Sequence, residues 1–226
     1  MLLQGPTWAA VSDVHVAAGD VEPLVDETRD VVPPDKTIMW WIGPSCEPTG
    51  LFDQLTELGF VPPVDGTTVL HALASVTEPP AAQAGIEVRE VLSFDEFVTA
   101  TAVGWDAFAI SAERRERERP HLQTTYDTRS ESASRTFVAY VDGKAVGVGR
   151  SVYSDLGVFL IGGAVLEHAR GLGVYRALVR ARWDDAVARG TPGMITEAKP
   201  DTSYPILKQL GFVDVCTIRR VEDARS

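Results

Sequence analysis

Apolar residues follow strand or helix periodicity along most of the chain, and glycine or proline separates the successive runs. Leu51, Leu55 and Leu58 recur at helical spacing, and Gly59 stands where a helix C-terminal cap belongs. A continuous apolar run at residues 37–43, before these leucines, predicts a buried strand. In the first part of the chain we therefore predict a helix over 21–32, a strand over 37–43, a helix over 51–58 and a strand over 67–74.

The later part of the chain opens with alternating apolar and charged residues, which indicate a half-buried strand. Ser93 and Glu96 then form a capping-box pattern at the start of a helix. Asp142-Gly143 separates two strand patterns and predicts a tight hairpin. The predicted elements are a strand over 86–91, a helix over 94–108, an exposed helical region over 113–126 interrupted at Pro120, strands over 136–141, 145–153, 156–165 and 193–198, a helix over 203–210, and a strand or strand pair over 212–221.

The stretch from Leu160 to Gly190 combines an apolar strand, a glycine-rich turn and a long helix. Gly162-Gly163 within the strand predicts a β-bulge or a close backbone approach, because glycine otherwise weakens a strand. In the turn Arg170-Gly171-Leu172-Gly173, backbone N–H groups converge at the positive end of the following helix, which favours an anion. A G-x-G spacing is equally typical of an ordinary strand-to-helix turn. The apolar face of the helix comprises Val174, Leu178, Val179, Trp183 and Val187.

A segment rich in proline and alanine, residues 74–85, lacks large apolar side chains and is typical of a linker. We therefore predict two domains, residues 1–80 and 81–226. The tetrad Leu-Gly-Phe-Val ends a helix in both, at 58–61 and at 210–213. A common helix stop could produce this match by chance, but the flanking strand patterns also agree, which favours a partial internal duplication.

Composition narrows the class of function. The chain has 32 acidic and 21 basic residues, a net charge of -11, which disfavours a nucleic-acid surface. Arginines and glutamates alternate over 113–119 and indicate a solvated helix face. There is neither a membrane-span pattern nor a signal-peptide pattern, so we expect a soluble cytoplasmic protein without membrane contact. Two distant cysteines and scattered histidines predict no metal site or disulfide, and the isolated His71 is interpreted as a half-buried strand residue.

The later part of the chain resembles the Gcn5-related N-acetyltransferases, the GNAT family. Their signature is a strand, then Arg/Gln-x-x-Gly-x-Gly/Ala, then a helix, and it is matched here between Val165 and Tyr175. A later helix that ends in Leu-Gly-Phe is matched at 210–212. The resemblance covers residues 86–221 and implies an α+β fold, with a mixed, mostly antiparallel sheet flanked by helices. Residues 1–80 look like a degenerate partial copy of the same domain.

The resemblance implies acetyl-CoA as co-substrate and a small-molecule amine as acceptor. The pyrophosphate would lie on N–H groups of residues 171–175, and the pantetheine arm would pair with the preceding strand like an added strand. The thioester would lie between that strand and the one at 193–198. The implied cofactor-binding residues are Ala164, Val165, Leu166, Arg170, Gly171, Leu172, Gly173, Val174 and Tyr175.

Three positions depart from the family pattern. Tyr175 replaces the last Gly/Ala of the signature, and this bulky ring is tolerable in the first turn of the helix if it points outward. Glu167 brings a negative charge to a position where proline is common. Leu207 stands where many relatives carry a general-acid tyrosine, so the usual proton donor is missing.

Other residues must then supply acid–base chemistry. Glu197, near the end of the strand beside the cleft, is the candidate base, with a surface carboxylate as the alternative interpretation. Tyr204 is the candidate acid, with a packing role as its alternative, and Tyr153 is a weaker candidate. Ser203 is interpreted as the N-cap of its helix.

These features favour an acetyl-CoA-dependent N-acetyltransferase that works by direct attack of a small amine. The acidic balance of the chain is compatible with a cationic acceptor. The missing tyrosine and the partial copy leave open a non-catalytic acyl-CoA-binding regulatory module. An interaction domain that uses the fold without CoA is a third hypothesis. The oligomeric state is open, with a homodimer as one arrangement.

Overall fold

The computed structural model describes residues 1–5, 7–129 and 133–224. In these ranges the strands are β1 (Leu2–Gln4), β2 (Trp8–Ser12), β3 (Thr37–Ile42), β4 (Phe60–Val61), β5 (Val69–Ser75), β6 (Ile86–Glu90), β7 (Ser134–Val141), β8 (Lys144–Ser154), β9 (Gly157–Val165), β10 (Met194–Ala198) and β11 (Val213–Asp223). The helices are α1 (Val21–Val31), α2 (Leu51–Glu57), α3 (Phe94–Ala107), α4 (Ala112–Glu118), α5 (Leu122–Thr128), α6 (Val174–Ala188) and α7 (Ser203–Gln209). None of these helices is long and apolar enough to cross a lipid bilayer.

Local signals place most of these elements where the sequence predicts them. The capping box that opens α3 is confirmed, because the Ser93 hydroxyl accepts from the Glu96 N–H and the Glu96 carboxylate accepts from the Ser93 N–H. The hairpin between β7 and β8 is confirmed too, with positive φ at Asp142 (49°) and Gly143 (72°). The final strand pattern forms the single strand β11.

The chain folds as two compact units. The first comprises residues 1–72, 198–204 and 214–226, and the second comprises residues 73–197 and 205–213. Antiparallel pairing of β11 with β3 places the C-terminal strand in the first unit, although the predicted domains place it in the second. The predicted domain boundary near residue 80 stays a prediction.

In the first unit, β2 pairs with β1 antiparallel and with β3 in parallel, and β11 pairs antiparallel with both β3 and β4. Trp40, Leu51 and Leu55 are fully buried in its core, and the Phe60 and Trp40 rings form a T-shaped pair. Each such side chain contributes roughly 2 kcal/mol by leaving water. Val221 of β11 belongs to the same core, so the C-terminal strand helps to build it.

In the second unit the strand order is β10-β9-β8-β7-β6, with β9 and β10 parallel and the other neighbours antiparallel. Side chains alternate between the two faces, since successive residues of a strand point in opposite directions. Phe137 packs against α6 on one face, and Val138 packs against α3 on the other. A helix therefore covers each face of this sheet.

Candidate functional site

Strand β9 carries a bulge at Gly162-Gly163. The register between β8 and β9 shifts there, so that the two glycines lie opposite the single residue Gly149. Gly162 has a left-handed φ of 59°. A Cβ on Gly163 would lie 2.9 Å from the ring of Tyr175 in α6. The predicted bulge is confirmed, and the close approach of α6 explains the second glycine.

Strands β9 and β10 pair over only part of their length. Residues 194–196 of β10 pair with residues 158–160 of β9, and the Thr196 hydroxyl donates to the Leu160 carbonyl over 2.8 Å. Beyond Leu160, β9 keeps β8 as its neighbour, and no described strand of the second unit pairs with its other edge. Residues 161–165 thus offer a backbone edge to which an extended ligand can add like a strand.

The turn between β9 and α6 presents a row of backbone N–H groups. Gly171 and Gly173 have positive φ values of 80° and 85°, and Gly173 is the N-cap of α6. The N–H groups of residues 171–176 donate no hydrogen bond to any residue that the structure describes. Because a helix N-terminus carries partial positive charge, this turn is suited to bind an anion.

The residues predicted to bind the cofactor lie around this turn and edge. Arg170 is exposed, and its Nε donates to the Val165 carbonyl over 3.3 Å. The side chains of Ala164 and Val165 are buried, so these positions offer their backbone and not their side chains. The Gln83 side chain lies over the turn, where its Oε1 would be 2.8 Å from a Cβ on Gly173.

The ring of Tyr175 points inward, so it is accommodated in another way than by the outward orientation considered from the sequence. It packs over Gly163 and against the core formed by β7, β8 and α6. Burial raises the pKa of the Tyr175 hydroxyl. The absence of a side chain at Gly163 compensates for the bulky ring in the first turn of α6, and the N–H groups of that turn stay uncovered by it.

A buried arginine that the sequence pattern did not reveal lies beside this ring. Arg182 is 1% exposed, and it donates from Nε to the Leu178 carbonyl over 2.9 Å and from Nη1 to the Arg150 carbonyl over 3.4 Å. Its Nη2 has no hydrogen-bond partner among the described residues, and burial lowers the pKa of the guanidinium. Arg182 lies four residues after Leu178, so helical spacing predicts that both residues lie on the same face of α6. Val187, predicted on the apolar face, is instead 49% exposed.

The predicted base and acid belong to different units. Glu197 is a half-buried residue of β10 in the second unit. Tyr204 belongs to the first unit, where its ring centroid lies 4.4 Å from that of the half-buried His71. The Ser203 hydroxyl accepts from the Lys199 N–H over 3.2 Å. This contact with His71 gives Tyr204 a packing role, and the catalytic roles of both residues stay predictions.

Tyr153 lies far from the turn. Its hydroxyl donates to the Asp185 carboxylate, and burial together with this bond raises the pKa of Tyr153 to about 12. A helix rises about 1.5 Å per residue, which places Asp185 about 18 Å along α6 from Gly173.

Leu207, at the family's tyrosine position, is fully buried. Both cysteines are free, and no group of three metal-ligating side chains occurs among the described residues.

Comparison with known proteins identifies similar sequences and structures. Residues 102–212 match the profile of the Acetyltransferase (GNAT) family. A GCN5-related N-acetyltransferase from Sphaerobacter thermophilus is 18% identical, with a TM-score of 0.66 over 98% of this chain and 74% of that chain. Another from Kribbella flavida is 19% identical, with a TM-score of 0.65 over 98% of this chain and 84% of that chain.

A tandem GNAT protein from the clavulanic acid biosynthesis pathway is 15% identical, with a TM-score of 0.58 over 92% of this chain and 68% of that chain. No curated protein matches the sequence. At these identities the structural similarity concerns the fold. It confirms the predicted fold class, including the partial GNAT-like subdomain in the N-terminal part.

Proposed function

Because residues 102–212 form an acetyltransferase (GNAT) domain, we propose that this protein transfers the acetyl group of acetyl-CoA to the amine of a small molecule. The observation that carries this proposal is the turn at residues 170–173, which presents N–H groups without an acceptor among the described residues beside the open edge of β9. Acyl-CoA is the donor that the family typically uses. Its pyrophosphate and its extended pantetheine arm are the two chemical groups that such a turn and such an edge suit.

In this proposal the N–H groups of residues 171–175 hold the pyrophosphate, and Arg170 adds positive charge. Hydrogen bonds to an ionised acceptor are roughly twice as strong as neutral ones, so several N–H groups together bind a phosphate well. The backbone of residues 164–166 pairs with the amides of the pantetheine arm. The bulge at Gly162-Gly163 then directs the thioester into the opening between β9 and β10.

The proposed reaction is direct acyl transfer. The acceptor ammonium first loses a proton to Glu197, directly or through water, and the neutral nitrogen attacks the thioester carbonyl carbon. The new C–N bond forms, the C–S bond breaks, and CoA leaves as a thiolate. Tyr204 donates a proton to that thiolate and recovers one from the acylated nitrogen. One proton is released overall, and the products are the amide and CoA.

A second function, acyl-CoA binding without transfer, is favoured by one observation. Leu207 is fully buried where many relatives carry the tyrosine that protonates the leaving thiolate. Calorimetry with acetyl-CoA, followed by thiol release with polyamines, amino acids, aminoglycosides and peptide N-termini, separates the functions. Binding with every acceptor inert supports the second function, and no binding at millimolar acetyl-CoA contradicts both.

The variant Gly173→Glu tests the phosphate site. A carboxylate there repels the pyrophosphate and fills the space above the turn, so we expect acetyl-CoA affinity to fall more than tenfold in calorimetry. Gly190→Glu is the matched control, since Gly190 also has a positive φ (77°) but follows the other end of α6. Both variants should unfold cooperatively. Unchanged affinity in a folded Gly173→Glu variant would overturn the assignment.

Substitutions that preserve shape test the proposed acid and base. Tyr204→Phe keeps the ring that packs against His71 and removes only the hydroxyl. We expect it to lower kcat about 10- to 100-fold with little change in the KM for acetyl-CoA, and Glu197→Gln to act on the acidic limb of the pH–rate profile of kcat, where protonation of the base lowers the rate. A kcat equal to that of the wild type in either variant would remove that residue from the mechanism.

A further inference from the structure

A cavity of about 420 Å³ opens on the α3 face of the second unit, next to the bulged strand. Small-molecule sites commonly enclose a few hundred Å³, so this volume suits a compact metabolite. Side chains from two strands, from α3 and from the region of α5 surround it. The residues that line it are Phe97, Thr125, Thr128, Arg129, Ser134, Thr136 and Arg150.

Strand register places Arg150 beside the proposed reaction centre. Arg150 pairs with Thr136 of β7 on one side and with Ile161 of β9 on the other. Ile161 directly precedes the bulge glycine Gly162. Since paired residues project to the same face, the Arg150 side chain shares its face with Thr136 and lies one strand from the proposed path of the pantetheine arm.

Because successive side chains of a strand point to opposite faces of the sheet, the cavity lies on the face opposite α6. Val148, two residues before Arg150, packs in the core that contains Ala100 and Val103 of α3. Gly149, between them, faces the Arg182 guanidinium of α6. The cavity and α6 thus lie on opposite sides of β8, and a molecule in the cavity approaches the bulge from the α3 side.

One of the two arginines that line this cavity has no partner among the described residues. The Arg150 side chain is exposed and makes no ion pair or hydrogen bond with any described residue. Arg129, by contrast, lies 3.5 Å from the centroid of the Tyr126 ring and donates to the Tyr126 carbonyl. The hydroxyls of Ser134 and Thr136 add uncharged donors, and none of the described lining residues is acidic. In a chain with 32 acidic residues, this local composition is unusual.

The surrounding protein removes part of the water around the Arg150 guanidinium. Desolvation by the neighbouring elements lowers the pKa of the Arg150 guanidinium. A cation that protein walls partly desolvate, and that no described carboxylate offsets, is stabilised when an anion enters beside it. An arginine also matches the two oxygens of a carboxylate or a phosphate in geometry.

We propose that this cavity binds the acceptor, and that the acceptor is an amine which also carries an acidic group, held by Arg150 with the hydroxyls of Ser134 and Thr136. The inference rests on the proposed transferase function and names its substrate class. It differs from the cationic acceptor with which the net charge is compatible. Net charge acts at long range on encounter rates, whereas groups in contact decide which ligand is retained.

Matched amines test this substrate class by binding. The probes are L-phenylalanine against L-phenylalaninamide, β-alanine against β-alaninamide and O-phosphoethanolamine against ethanolamine, with spermidine as the cationic amine. Calorimetry with protein saturated with CoA should show at least tenfold tighter binding of acidic probes than of their neutral or cationic counterparts. Comparison of the carboxylate probes with the phosphate probe shows which acidic group the cavity prefers. Preference for amides or spermidine, or no binding by any acidic probe, overturns the proposal.

The variant Arg150→Gln tests the assigned residue. It should weaken binding of the preferred acidic probe at least tenfold and leave acetyl-CoA affinity unchanged. Arg89→Gln is the control, because Arg89 is exposed on β6 and already pairs with Glu87. Equal binding of the acidic probe by Arg150→Gln and wild type overturns the assignment. Binding that depends on Arg150 with no thiol release from any probe leaves the anion site standing and contradicts the transferase function instead.

Discussion

At the scale of single residues, absent side chains determine how closely α6 approaches the sheet. A Cβ on Gly149 would lie 3.0 Å from Cζ of Arg182, and one on Gly163 would lie 2.9 Å from the Tyr175 ring. The glycine pair in β9 is visible in the sequence as a break in a strand. The groups that need the space come from a helix further along the chain, so only the structure identifies them.

The variant Gly163→Ala should destabilise the protein by about 1–3 kcal/mol, because the new methyl group overpacks the contact with Tyr175. Urea denaturation measures the loss. The double variant Gly163→Ala/Tyr175→Leu should be less destabilised than the sum of the single variants by roughly 1 kcal/mol, since leucine removes the ring edge. Strictly additive losses would show that this contact does not limit the packing.

At the scale of elements, the same local signal stabilises two helices with different consequences. The Ser93 hydroxyl accepts from the Glu96 N–H at the start of α3, and the Ser111 hydroxyl accepts from the Arg114 N–H at the start of α4. Helix α3 buries Ala100, Val103 and Trp105. No residue of α4 is buried. Loss of the N-cap should therefore destabilise the core at α3 but not at α4.

We expect Ser93→Ala to lower the free energy of unfolding by about 1 kcal/mol, the usual contribution of an N-cap hydroxyl. Ser111→Ala, the matched control, should change it by roughly 0.5 kcal/mol or less, because α4 can fray while the core stays intact. Denaturation curves of both variants decide the point. Equal losses would mean that α4 unfolds together with the core.

The repeated Leu-Gly-Phe sequence also belongs to this scale. Gly59 and Gly211 have φ values of 91° and 88°, and the phenylalanines that follow them, Phe60 and Phe212, are both buried. A left-handed glycine after a helix is a general helix stop, which accounts for this shared local geometry. Support for a partial GNAT-like copy comes instead from the fold shared with a tandem GNAT protein.

At the scale of the whole molecule, one carboxylate connects three chain segments of the first unit. Asp65 lies 2.9 Å from Nζ of Lys199 and 2.9 Å from Nη2 of the buried Arg220. Burial acts to raise the pKa of Asp65, but hydrogen bonds from Lys199, from the Thr67 N–H and from Arg220 outweigh it and lower the pKa. The ionised carboxylate is therefore the stabilising form.

A lowered pKa in the folded state contributes stability above the ordinary pKa of 3.8, and that stability is lost as the pH falls through the folded-state value. We expect Asp65→Asn to lower the free energy of unfolding by about 1 kcal/mol at pH 7, since the carboxylate is 43% exposed and solvent screens part of the interaction. The difference from wild type should shrink as the pH falls below 3.8.

Denaturation at pH 7, 5 and 3 measures this dependence. Asp53→Asn is the control, because Asp53 is 77% exposed and lies 3.9 Å from Arg219 on the surface of the same unit. That variant should differ little from wild type at any pH. If the difference in unfolding free energy between Asp65→Asn and wild type stays constant or widens in acid, the ionised carboxylate does not have this role.

Several features of this protein follow from short stretches of its sequence. The capping box at Ser93, the hairpin at Asp142-Gly143, the bulge at Gly162-Gly163 and the glycine turn before α6 all form where predicted. Each depends on residues within a few positions of one another, so backbone propensity and local hydrogen bonding are enough to specify it. The turn also carried the family resemblance, and with it the fold class.

Long-range packing determines which distant residues meet. It turned Tyr175 inward, placed the buried Arg182 beneath the bulge, and put Arg150 in a cavity lined by side chains from other elements. It also joined Lys199 and Arg220 to Asp65 in the first unit. The periodicity of a strand or helix states only that a residue is buried or exposed. Which side chains surround a residue depends on strand register and helix packing, which long-range contacts set.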